Sequence, residues 1–154
     1  MKVTILGCGT SVGVPALGSI GWGKCDSRNP LNNRQRSSVL VQKNGKNILI
    51  DCGPDIRNQL LKTNINKIDA VLLTHAHSDH IMGLPDLRPY FWPDKQKIPI
   101  YTNSDTLNKV FHSFEFLFIK QKHSPDYFYP PLDIFEIKNN EIQLGGFDIQ
   151  VFNQ

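Results

Sequence analysis

The stretch "AVLLTHAHSDHIMGLPD", residues 70–86, decides how the rest of the chain is read. A short apolar run ends in three of the chain's five histidines and an aspartate: His75, His77, Asp79 and His80. Residues two apart on an extended chain point to the same side, so the His75 and His77 rings converge on one point. Asp79 and His80 follow where the chain bends into the next element, and they face a second point beside the first. Neutral imidazole and carboxylate suit Zn²⁺, with Mn²⁺ or Fe²⁺ as alternatives, and no thiolate is needed. Two such ions about 3.5–4 Å apart clamp the oxygens of a displacement reaction. One histidine at a strand end is usually only a satisfied polar residue. Three interleaved with an aspartate, at the strand end where α/β folds place their chemistry, are read as metal ligands.

Around this cluster the pattern alternates between strands and helices. "DAVLLT" (69–74) has the continuous apolar character of a strand buried on both faces. Upstream, "KVTIL" (2–6) predicts a strand that runs into a glycine-rich loop. "SSVLVQKNGKNILIDCG" (37–53) predicts a hairpin turning at "KNGKN". "PDIRNQLLKT" (54–63) predicts a short helix with Ile56, Leu60 and Leu61 on one side. Downstream, "IMGLPDLRPYFW" predicts a helix broken by Gly83, Pro85 and Pro89. "IPIYT" (98–102) predicts a strand, and "SDTLNKVFHSFEF" (104–116) a helix capped by Ser104 or Asp105. "KHSPDYFYPPLD" (122–133) reads as a loop, and "DIFEIKNNEIQLGGFDIQVFNQ" as strands turning at "KNN" and "GG". The fold class is α/β (or α+β), one layered domain.

At 154 residues the chain has the size of one domain. A net charge of +3 permits an anionic substrate but lacks the clustered basic face of a nucleic-acid binder, so nucleic acid is not expected as a partner. Cys8, Cys25 and Cys52 form no CxxC pair and no even disulfide set, which fits a reducing compartment. The apolar stretch Val3–Leu6 is too short for a signal peptide, and no run reaches membrane-spanning length. The expected location is the cytoplasm.

"HAHSDH" matches the HxHxDH signature of the metallo-β-lactamase-fold hydrolases. "GCGTSVGVP", "NNRQRSSVLV" and "ILIDCGPDIRNQLL" further resemble the branch holding the phosphoribosyl cyclic phosphodiesterases and ribonuclease Z. The resemblance implies an αββα sandwich, with His75 and His77 on a first zinc and Asp79 and His80 on a second. It gives Asp79 a part in orienting the attacking metal-bound hydroxide, and Asp51 a supporting place behind the ligands. Some relatives hold an extra structural zinc with paired cysteines near residues 22–28. Only Cys25 stands there, so that site is expected to be absent.

The family's remaining ligands come from a second half of the sandwich. After residue 80 only His112 and His123 remain, in unmatched contexts, so residues 1–154 are expected to represent the N-terminal part. Two readings follow. One is a dizinc hydrolase of a small phosphodiester. The other is a catalytically incomplete fragment or subunit, either self-associating or needing a complementing C-terminal chain. An uncovered apolar sheet face is expected in either case.

Three weaker signals stand beside these. Gly7, Gly9 and Gly13 resemble a dinucleotide-binding turn, but the spacing is GxGxxxG and Pro15 blocks the helix that should follow. A tight turn bordering the site is the better reading. Arg34 and Arg36 in "NNRQR" can meet a substrate phosphate or simply lie in a solvated loop. "PYFWP" (89–93) and the phenylalanines of "FHSFEFLF" (111–118) read as packing.

Overall fold

The protein is described by a computed structural model covering residues 1–139 and 141–152. Six strands form one sheet in chain order: β1 (Lys2–Gly7), β2 (Ser38–Lys43), β3 (Lys46–Ile50), β4 (Ala70–Leu72), β5 (Ile98–Thr102) and β6 (Leu132–Glu136). The first three are antiparallel neighbours, and β3 to β6 run parallel. The β2–β3 hairpin turns at Asn44 and Gly45, with φ of 51° and 73°. A two-residue hairpin with the native strand twist needs this left-handed pair.

Helical segments fill each parallel crossover. α1 (Ile56–Leu60) joins β3 to β4, and α2 (Ser78–Ile81), a 3₁₀ turn (Leu84–Leu87) and α3 (Arg88–Phe91) join β4 to β5. α4 (Ser104–Phe118) joins β5 to β6. The helices share one core with the sheet, built on Leu49, Val71 and Ile100 from the strands and Ile56, Leu84 and Leu117 from the helices. Strand order that follows chain order, with every crossover on the same face, leaves the other face for a different layer.

That other face is apolar too. In register across all six strands lie Ile5, Val39, Ile50, Leu72, Tyr101 and Phe135. Beside this row a second hairpin, β7 (Glu141–Leu144) and β8 (Phe147–Gln150), seats Phe147 on Ile48 and Ala70. It covers one end of the face, while Ile5 and Phe135 remain 68% and 45% exposed. One helical layer, the main sheet and this two-stranded piece account for three layers of the expected αββα sandwich.

Several expectations need correcting. Leu61 does not join Ile56 and Leu60 in the core but is 64% exposed, because α1 ends at Leu60 and Gln59 is buried instead. The cap of α4 is Asn103, whose side-chain oxygen accepts from the Thr106 amide, not Ser104 or Asp105. α4 continues to Phe118 through a kink at Phe114. The loop expected over 122–133 gives its last residues to β6. Asn140 of the "KNN" turn, and residues 153–154 of the expected terminal strand, lie outside the described residues; β8 ends at Gln150. No helix among the described residues is long and apolar enough to cross a membrane.

Candidate metal centre

The histidine cluster begins where β4, a central strand, leaves the sheet. Leu73 keeps the chain extended by bonding its amide to the Tyr101 carbonyl, and its own carbonyl accepts from the buried Thr102 hydroxyl. The chain then releases His75 and His77 before α2 starts at Ser78. His75 Nε2 lies 3.0 Å from His77 Nδ1. One turn on, His80 Nε2 lies 3.2 Å from Asp79 Oδ2. Two donors on a tetrahedral Zn²⁺ sit about 3.3 Å apart, so both pairs have the separation of atoms sharing one cation. The His75 and His80 ring centroids are 4.1 Å apart, which puts the two pairs side by side.

Asp51 stands behind both pairs. It follows β3 with φ of 60°, a left-handed conformation an aspartate tolerates better than most residues. Its side chain is only 8% exposed. It accepts from the Thr74 amide at 2.8 Å, the Thr74 hydroxyl at 2.8 Å and His80 Nδ1 at 2.7 Å. A carboxylate only accepts, so His80 Nδ1 carries a proton, and Nε2 is the ring nitrogen that faces Asp79. Burial pushes the His75 pKa below its usual 6.5, helped by the His80 and His77 rings and opposed by Asp51 and Asp79. The shift favours the neutral ring, the form in which imidazole binds a metal.

Two glycines let the loop carrying Asp79 pack this closely. The Cys52 amide donates to the His80 carbonyl at 2.7 Å, and the Gly83 amide to the Cys52 carbonyl at 2.8 Å. A Cβ on Gly53 would stand 2.0 Å from the Asp79 carbonyl oxygen, and one on Gly83 2.1 Å from the Gly53 oxygen. Neither neighbour is a flexible side-chain end. The segments 51–53 and 79–83 thus meet backbone to backbone.

Other residues weighed from the sequence have different company. Arg36 is bound to Asp55, with Nη1 at 3.0 Å from Oδ1, and its Nε donates to the Ser11 carbonyl. Arg34 is exposed, its Nε donating to the Leu31 carbonyl. Gly7 and Gly9 approach the backbone of residues 34–36, and no α-helix follows them. His112 faces the Asn108 carbonyl on α4 at 2.7 Å. Cys25 is exposed. Among the described residues no three or more His, Cys, Asp or Glu side chains form a single metal-holding group. The donor set is two pairs. Thr74 is the contributor that the sequence reading missed; its only signal was a hydroxyl directly before the first histidine.

The chain has clear relatives. It is 38% identical over 139 residues to an octanoyltransferase of Porphyromonas gingivalis, covering 90% of this chain and 27% of that protein. It is 28% identical over 143 residues to the ribonuclease Z of Methanococcus maripaludis, covering 90% and 39%. Among solved structures, a diphosphatase from the PhnP family matches with a TM-score of 0.79 at 37% identity, over 95% of this chain and 54% of that one. Zn²⁺-bound PqqB from Methylobacterium extorquens matches with a TM-score of 0.67 at 28% identity, over 93% and 48%. The chain thus spans 27–39% of these curated relatives and about half of these structures. The beta-lactamase superfamily domain matches residues 46–154, and the chain belongs to that superfamily.

Proposed function

We propose that this chain carries the metal-binding strand end of a hydrolase acting on phosphodiesters or related phosphate esters and anhydrides. The observation that supports it most is the pairing of donors: His75 with His77, and Asp79 with His80, each at a separation suited to one shared cation. The donor chemistry fits Zn²⁺, and the Zn²⁺-bound relative and the diphosphatase are of the same fold. A divalent cation held there lowers the pKa of water and neutralises charge on phosphoryl oxygens. His75 and His77 would hold a first ion and Asp79 and His80 a second. Asp79 has a further carboxylate oxygen with which to orient a water, and Asp51 keeps the His80 ring from turning away. Arg34, exposed beside the glycine-rich loop, is the better placed of the two arginines for a substrate phosphate, since Arg36 is engaged by Asp55.

Two donors per ion leave both sites open. This favours a second reading: hydrolysis requires donors beyond the described residues, from further chain or from a partner. Several relatives are called ribonuclease Z, so RNA belongs among the test substrates despite the modest charge. The test is hydrolysis of bis(p-nitrophenyl) phosphate by the zinc-loaded protein, with Asp79→Asn and His75→Ala/His77→Ala alongside. Turnover that falls at least about a hundredfold in each variant supports the first reading, a loss expected when a general-base or metal group is removed. Zinc binding without turnover supports the second.

A further inference from the structure

We infer that Thr74 fixes the ring proton of His75, so that one buried carboxylate, Asp51, orders histidines of both donor pairs. The inference rests on reading those histidines as cation ligands. Asp51 reaches His80 directly, through Nδ1 at 2.7 Å. It reaches His75 through the Thr74 hydroxyl, which lies 2.8 Å from Asp51 Oδ2, 3.0 Å from Oδ1, and 3.0 Å from His75 Nδ1.

A hydroxyl has one proton to give, and here two neighbours compete for it. If Thr74 donated to His75 Nδ1, its oxygen would face the Asp51 carboxylate with no hydrogen between two electron-rich atoms. If it donates to Asp51, its lone pair is free for an Nδ1–H. The carboxylate cannot donate, so the second arrangement is the one that satisfies all three groups. His75 then carries its proton on Nδ1 and presents a lone pair from Nε2. That nitrogen is the one 3.0 Å from His77 Nδ1. In the metal-free chain a proton on His77 closes this gap; a cation does so when bound.

Thr74 as a whole is exposed, but its amide also donates to Asp51, at 2.8 Å. The backbone therefore holds the hydroxyl against the carboxylate whatever the side chain's solvent contact. Both histidines carry a proton on Nδ1 that traces to one acceptor, and Thr74 is a positioning residue rather than a catalytic one.

The test reads the tautomer itself. Long-range ¹H–¹⁵N correlation of the metal-free chain labelled with ¹⁵N-histidine reports which ring nitrogen of His75 bears the proton. The parent and Thr74→Ser are expected to show Nδ1–H at His75. Thr74→Val, which keeps the shape and the amide bond, is expected to lose that preference while His80 retains its own Nδ1–H. Zinc affinity should fall about 10- to 100-fold in Thr74→Val, the usual loss when such a supporting partner is removed, and recover in Thr74→Ser. An unchanged His75 tautomer in Thr74→Val overturns the inference. So does Nε2–H at His75 in the parent, a result available even if the valine variant does not fold. Failure of the parent to bind zinc would refute the metal reading instead, and the tautomer readout would still decide the relay.

Discussion

At the scale of single residues, the site contrasts groups committed to one partner with groups left open. Asp51 accepts three hydrogen bonds at once, and in the same loop Cys52 is wholly buried. Burial, reinforced by Asp86 and Asp51, raises the Cys52 thiol well above its ordinary value of 9.0. The native chain should therefore expose two reactive thiols, Cys8 and Cys25, to a disulfide reagent at pH 8, and a third only on unfolding. Three fast thiols in the native chain would contradict this burial. The linked effect on stability has a definite sign. It is fully present below pH 9.0 and is lost as pH rises past it, since the unfolded chain gives up its proton first. The histidines and aspartate of the cluster were legible in the sequence because their spacing is itself the signal. Thr74 was not, since a hydroxyl acquires its role only from the carboxylate that folding brings from 23 residues away.

At the scale of elements, the strand ends position the chemistry and two glycines let them meet. Gly53→Ala and Gly83→Ala each place a methyl group against backbone oxygens that cannot move without carrying Asp79 or Cys52 with them. Each should cost about 1–3 kcal/mol, the usual range for overpacking, with a matching fall in the denaturation midpoint. In Gly53→Ala zinc binding should weaken as well, because Asp79 is displaced. An unchanged midpoint would mean the two segments are less tightly joined than their hydrogen bonds imply. The strands and the β2–β3 turn were readable because alternation and Asn–Gly chemistry are local. The cap of α4 and the burial of Leu61 were not. Asn103 caps by aiming its side chain at the Thr106 amide, and Leu61 is exposed because α1 stops one residue before it. Both depend on where a helix ends, which residue pattern fixes only loosely.

At the scale of the whole molecule, the main sheet is apolar on both faces and, among the described residues, the β7–β8 hairpin covers part of the second. Phe147, 6% exposed, is the residue that seats that hairpin on Ile48 and Ala70. Phe147→Ala should free it, and the Ile142 and Ile149 amides, protected in the parent, should then exchange rapidly in hydrogen-exchange measurements. Protection that survives the substitution would show that the β7–β8 ladder is held by other contacts. The sequence disclosed this layering through "DAVLLT", a strand with no polar face, but it held no sign of how much of that face β7 and β8 would cover. The proposed chemistry rests on the four side chains at the end of β4. Its most direct test is elemental analysis of metal per chain, in protein purified without chelator, with His75→Ala/His77→Ala as the control. Zinc approaching about two ions per chain is expected in the parent, with its loss in the control. Zinc no higher in the parent than in the control would contradict the reading of His75, His77, Asp79 and His80 as metal ligands in this chain.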